Sequence, residues 1–150
     1  MLITDNDTHI GPLEMSLLLD ADPLEEKIHT YLQDALVLKL YLDDQLTGIS
    51  VTGIQNNIAE IYNISITATH QRKGWGQQLI TATIEKCRQL RCQTVMIGTG
   101  NSSIGQLYLY QKMGFDITGI IPNYFTDNYP EPIIENGIPC RHMIRLQLSL

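Results

Sequence analysis

Residues 71–76, Gln-Arg-Lys-Gly-Trp-Gly, place two glycines and two cations where a strand-like run, Ile58 to Ile66, gives way to a helix-like run, Gln77 to Arg91. A chain that turns there leaves backbone N–H groups unpaired at a helix N-terminus, and such groups attract phosphate. Gly74 and Gly76 remove the Cβ atoms that would stand between backbone and ligand, while Arg72 and Lys73 add positive charge. The chemistry of the stretch is that of a phosphate cradle. A dinucleotide fingerprint needs a third small residue where Leu79 stands, and a Walker loop needs a Gly-Lys-Ser/Thr ending that is absent. An ordinary glycine-containing turn remains the competing reading of the hexapeptide alone.

The other chemistry-bearing residues are sparser. Cys87, Cys92 and Cys140 are odd in number and have no metal-ligand spacing with the four histidines, which argues against a disulfide framework or a metal site. Cys140 has no indicated histidine partner and so is a poor nucleophile. His70 reads as a turn residue and His142 as a strand residue. Asp127, Glu131 and Glu135 could attract a cation from a loop, although a solvated surface is their default role. With 16 acidic and 10 basic residues the net charge is −6, which opposes nucleic-acid binding and favours a cationic partner.

The elements that must position these residues follow from patterning. At 150 residues, 43% hydrophobic and without a linker or repeat, the chain is expected to be one domain, residues 1–150. No apolar run is long enough to span a bilayer, and the first ten residues do not resemble an export signal, so a cytoplasmic protein without membrane partners is expected. Leu13 to Leu19 reads as a helix. Asp22 as cap and Pro23 at the first position predict a second helix, Pro23 to Gln33, with Leu24, Ile28, Tyr31 and Leu32 on one face. Ala35–Leu42, Thr47–Ile54 and Ile58–Ile66, separated by Asp43-Asp44 and Asn56-Asn57, predict a three-stranded meander. Gln77 to Arg91 stripes Ile80, Ile84, Cys87 and Leu90 on one side, widened by Leu79 and Thr83, and Thr94 to Gly98 reads as a buried strand. A helix, Ser103 to Met113, stopped by Gly114, precedes strands Phe115–Ile121 and His142–Leu148. The long connection Pro122 to Arg141 reads as a functional loop, a pocket wall.

The hexapeptide fits Q/R-x-x-G-x-G/A, the acetyl-CoA pyrophosphate loop of the GNAT superfamily of N-acetyltransferases, and Leu109-Tyr110-Gln111-Lys112-Met113-Gly114-Phe115 matches that family's L-Y-x-x-x-G-F. The order of elements also resembles the family, with an N-terminal strand placed at Leu2 to Thr4. The resemblance covers Glu60 to Phe115 best. It implies an α/β (α+β) GNAT fold: a mixed, mostly antiparallel twisted sheet of six to seven strands, about four flanking helices, and a splayed strand pair that binds coenzyme A. One departure is local. The family's frequent Asn falls on Ser103 and its frequent Ala on Gln106, with Asn101 two residues too early.

What the resemblance implies for chemistry is direct transfer of acetyl from acetyl-CoA to a primary amine, with no metal. Ile64 matches the position whose N–H polarises the thioester carbonyl, Ile66 one that pairs with pantetheine, and Gln71, Arg72, Lys73, Gly74, Trp75, Gly76 and Gln77 the pyrophosphate loop, with Ser103 at the start of the next helix. Tyr110 occupies the general-acid position. Tyr108, turned by about 200° on the same helix, does not. Glu60, eleven residues before Gln71, matches the register of a catalytic base, and a solvent-facing strand glutamate is the equal alternative. Trp75 packs over the loop or over adenosine. The acceptor reads as a small-molecule amine such as a polyamine, aminoglycoside or amino acid. A protein N-terminal or lysine acetyltransferase, or a coenzyme-binding module without turnover, stand as alternatives. Analogy adds a homodimer through the C-terminal strands.

Overall fold

The computed structural model describes residues 1–150, which divide into two compact units, residues 1–93 and 94–150. In the first unit, strand β1 (Leu2–Thr4) is followed by helices α1 (Pro12–Ala21) and α2 (Glu25–Leu32), then by strands β2 (Leu36–Leu42), β3 (Gln45–Gln55) and β4 (Ile58–Ile66) and helix α3 (Trp75–Gln89). The strands pair antiparallel in the order β1-β2-β3-β4. The meander expected from the two turns is present. Asp43 and Asp44 have φ of 50° and 61°, and Asn56 and Asn57 of 53° and 63°, the left-handed pairs that two-residue hairpins require and that Asp and Asn tolerate.

Alternation along the strands builds two cores. One face of the sheet buries Val37, Ile49 and Val51 against Leu17 and Leu18 of α1 and Ile28 of α2. The other buries Leu38, Leu40 and Ile66 against Leu79 of α3, with Trp75 and Ala82 packed alongside. Between β3 and α3 the Ser50 and Thr83 hydroxyls hydrogen-bond at 2.9 Å. Lys39, on the α1 side, is fully buried, and its ammonium is neutralised by Asp7 at 3.0 Å and Glu14 at 3.5 Å.

Helix boundaries shift from expectation by one or two residues, two of them for a visible reason. α2 begins at Glu25 and not at Pro23, because Asp22 is extended and its carboxylate is used otherwise: Oδ1 accepts from Leu24 N–H at 3.2 Å and Oδ2 from the Tyr31 hydroxyl at 3.1 Å. α3 ends at Gln89, so Leu90 leaves the buried stripe and is 47% exposed. Arg91 turns left-handed with φ of 63°, and the bonds Arg91 N–H to Arg88 O and Cys92 N–H to Cys87 O complete a Schellman cap.

The second unit contains strand β5 (Thr94–Gly100), helix α4 (Ile104–Lys112), strand β6 (Asp116–Ile121), helix α5 (Tyr124–Asn128), strands β7 (Ile134–Glu135) and β8 (Ile138–Pro139), and strand β9 (Met143–Ser149). β9 lies between β5 and β6, antiparallel to both. The connection 122–141, expected as a functional loop and pocket wall, contains regular structure. It holds α5, a fifth helix, and the β7–β8 hairpin, whose turn residues Asn136 and Gly137 have φ of 55° and 71°. Asn101 fixes the connection: its Oδ1 accepts from Arg141 and His142 N–H at 2.8 and 2.9 Å, and its Nδ2 donates to Pro139 O at 3.1 Å. That is the role of the asparagine that stands too early for the family pattern. No helix is long and apolar enough to cross a membrane.

Candidate active site

The cradle is built at the end of β4. After a 3-10 turn at Ala68–His70, Gln71 folds back and donates from Nε2 to Ile66 O at 3.0 Å, closing the loop on the strand that precedes it. His70 Nδ1 lies 2.9 Å from the Thr67 hydroxyl, a turn role as expected. Arg72 at φ of 61° and Gly74 at φ of 87° bend the chain into α3, and no side chain caps Gly74. The first helical bond from this end is Gln78 N–H to Gly74 O at 3.1 Å, so the N–H groups of Trp75, Gly76 and Gln77 precede the first intrahelical donor. Arg72 and Lys73 are exposed beside them.

Gly76 carries the sharpest information. It sits in the first turn of a helix, where glycine costs up to about 1 kcal/mol against alanine. A Cβ there would meet only Ile66 Cγ1, at an ordinary 3.8 Å. Nothing within the protein requires glycine at this position, and a group approaching the backbone from outside would. Trp75 packs inward, against the Leu38, Leu40, Ile66 and Leu79 cluster, and is half-buried.

On β4 the pairing with β3 is continuous from Asn63 to Ile66, with Ile64 opposite Ser50 and Ile66 opposite Gly48. The ladder's irregularity lies just before this stretch: Val51 faces Asn63 and Thr52 faces Ile61, which leaves Tyr62 as an extra residue. Glu60, half-buried, lies opposite Gly53 and so shares the α1–α2 face with Asn63. The side chain of Asn63 was not singled out in the sequence. Buried in the sheet, its Nδ2 donates to Leu18 O and to the Tyr31 hydroxyl, both at 2.9 Å, and its Oδ1 has no hydrogen-bond partner. The available signal was a polar amide in the middle of the apolar run Ile61 to Ile66. The first unit thus brings together Glu60, Ile64, Ile66 and residues 71–77 on one strand–loop–helix unit.

In the second unit, Tyr108 and Tyr110 point apart as their spacing on α4 requires, Tyr108 being 67% exposed and Tyr110 4%. Burial pushes the Tyr110 hydroxyl above the ordinary tyrosine range, so it keeps its proton, the form a general acid needs. Ser103, expected at the coenzyme, spends both its donors inside the unit: its N–H on Gly100 O at 3.1 Å and its hydroxyl on Glu135 Oε1 at 2.8 Å. Ser102 donates to the same oxygen at 3.3 Å. Glu135 is therefore held at the N-terminus of α4, not displayed on a solvated loop. All three cysteines are free and buried. Burial, then Cys92, pushes the Cys87 thiol up to about 12, and burial raises Cys140. No three His, Cys, Asp or Glu side chains are grouped as metal ligands.

Comparison with known proteins agrees with these motifs. The profile of the acetyltransferase (GNAT) family matches residues 10–115. An uncharacterised N-acetyltransferase of Bacillus subtilis, YvbK, is 44% identical over 135 residues, 89% of this chain and 87% of that protein. The crystal structure of a GNAT family acetyltransferase from Elizabethkingia anophelis with acetyl-CoA bound superposes with a TM-score of 0.94 at 42% identity, covering 99% of this chain and 97% of the other. A ribosomal protein bS18 alanine N-acetyltransferase of Haemophilus influenzae is 31% identical over 97 residues, 65% of this chain and 63% of that protein.

Proposed function

This chain belongs to the GNAT family of acetyltransferases and has its fold, and we propose on that footing that it transfers acetyl from acetyl-CoA directly to the primary amine of a small molecule, within a ternary complex. The observation that carries the coenzyme assignment is Gly76, a helix glycine whose missing Cβ no protein atom demands, beside N–H groups of Trp75 to Gln77 that precede the first helical bond. A pyrophosphate on those amides, flanked by Arg72 and Lys73, explains both features. Gln71 holds the loop to β4, Ile64 and Ile66 serve the thioester and pantetheine through the main chain, and Ser103 meets the coenzyme at the start of α4.

The reaction needs a free amine, and an alkylamine of ordinary pKa is unprotonated only about once in a few thousand molecules at neutral pH. In this reading Glu60 takes the ammonium proton through water. The amine nitrogen then bonds to the acetyl carbonyl carbon, the carbon–sulfur bond breaks, the departing thiolate takes the proton of Tyr110, and the proton the nitrogen sheds on becoming an amide restores the tyrosine. The three free thiols suit the cytoplasm, where acceptor and product would be found.

A second reading, acetylation of a protein N-terminal alanine, is favoured by the bS18 acetyltransferase relative. One experiment separates them. Release of coenzyme A thiol is followed with acetyl-CoA against polyamines, aminoglycosides, amino acids and peptides beginning with alanine. Turnover with small amines is expected. Turnover with the peptides alone would transfer the assignment to proteins, and none with any amine would leave a coenzyme-binding module.

A further inference from the structure

The α1–α2 face of the first unit carries a built feature that the transfer chemistry does not use. The extra residue of β4, Tyr62, lies over Gly53, where a Cβ would stand 2.5 Å from its Cε2, and its ring stacks on Tyr31 with centroids 5.4 Å apart and 19° between planes. A bulge disrupts a ladder and a strand glycine weakens it, so two separate local costs seat this one ring. The ring remains 45% exposed. Behind it, the Tyr31 hydroxyl is held by Asn63 and Asp22, and Asn63, itself 4% exposed, leaves its Oδ1 without a hydrogen-bond partner. Residues 20–34, the stretch that contains Tyr31, carry Asp20, Asp22, Glu25, Glu26 and Asp34 against Lys27 alone, and the Asp22 carboxylate reaches the Tyr31 hydroxyl.

Exposed aromatic faces and a carboxylate-rich neighbouring segment share one preference, for a cation. We propose that Tyr62, stacked on Tyr31, is a specificity-determining residue that holds a positively charged alkylammonium arm of the acceptor. The substrate class is then the alkyl diamines and polyamines. This rests on the acetyl-transfer reading and adds the acceptor to it. Glu60, on the same strand two residues before Tyr62, is ~7 Å away along the strand, so a short diamine can address both at once.

The test compares 1,6-diaminohexane with hexylamine, which differ by one ammonium group. Wild type should favour the diamine in kcat/KM by about tenfold, the ordinary scale of a partly desolvated cation–aromatic contact. Tyr62→Leu should bring the ratio close to one without changing the KM for acetyl-CoA, and Tyr62→Phe should retain it. An unchanged ratio in Tyr62→Leu, or no preference in wild type, overturns the proposal. Should neither amine be acetylated, the transfer reading fails separately, and calorimetric titration of 1,6-diaminohexane into the coenzyme A-saturated protein decides the cation site. Binding weakened about tenfold by Tyr62→Leu supports it, and absent or undiminished binding overturns it.

Discussion

Phe115 closes on Tyr110 twice: its N–H donates to the Tyr110 carbonyl at 3.0 Å, and its ring lies 6.1 Å from the Tyr110 ring. With Gly114 at φ of 102° and its N–H on Gln111 O at 3.0 Å, this is a Schellman cap with its usual hydrophobic contact. The L-Y-x-x-x-G-F signature therefore has a structural meaning independent of catalysis. Glycine supplies the left-handed residue, and the two aromatics fix the end of α4. The proposed acid is held by the device that stops its helix.

The consequence is that Tyr110→Phe keeps the ring, and with it the cap, while removing only the hydroxyl. Turnover should fall by roughly 10²-fold, with the KM for acetyl-CoA little changed. Because burial raises the hydroxyl above its ordinary value of 10.0, the acid form persists as pH rises, and wild-type kcat should not decline from this group below about pH 10. Steady-state kinetics across pH check both statements. Unchanged kcat in the variant would remove Tyr110 as the acid.

Gly76 offers a test in which stability and binding move in opposite directions. The space at its missing Cβ accepts a methyl group, so Gly76→Ala should leave the fold intact or stabilise it by up to about 1 kcal/mol, seen in urea denaturation. The same methyl should weaken coenzyme A in calorimetry, and Gly76→Glu should abolish binding by adding bulk and negative charge. Undiminished affinity in the glutamate variant would reject the phosphate role.

Much of this was legible in the sequence because it is encoded locally. The Asp43-Asp44 and Asn56-Asn57 turns set the meander, and Gly74 and Gly114 mark the start and end of helices where positive φ is needed. What was hidden depends on partners far along the chain. Asn63 bonds to Leu18 and Tyr31, 45 and 32 residues away, and no spacing rule reports that. The order in 122–141 likewise comes from Asn101, Ser102 and Ser103, which reach the hairpin across more than thirty residues. The same bonds engage both donors of Ser103. A bulge such as that at Tyr62 is invisible to a period-two reading, which shows only that the apolar phase slips.

Glu60 bears on the first proton transfer. Glu60→Gln preserves the size of the side chain opposite Gly53 and removes its basicity. The rate should fall, and the limb of the kcat/KM profile that rises as the base loses its proton should flatten, while acetyl-CoA affinity stays within about twofold. A profile that keeps its rising limb assigns that proton to water or to another group.

The buried Lys39 makes a prediction about stability. Its ammonium, 0% exposed, depends on Asp7, Glu14 and the His9 carbonyl, and the hydrogen bond from Lys39 is the main cause that lowers the Asp7 carboxyl below the ordinary aspartate value of 3.8. A lowered folded-state value means that Asp7 contributes stability above the unfolded value and loses it as pH falls from about 4 through the folded value. Asp7→Asn should therefore be less stable than wild type at pH 7, with the gap closing below pH 4 in urea melts. A gap that does not vary with pH would show that the ion pair is not its source. Lys39→Met removes the buried charge itself, leaves Asp7 half-exposed to water, and should cost less than leaving the ammonium unpaired, the change staying within about 2 kcal/mol of wild type.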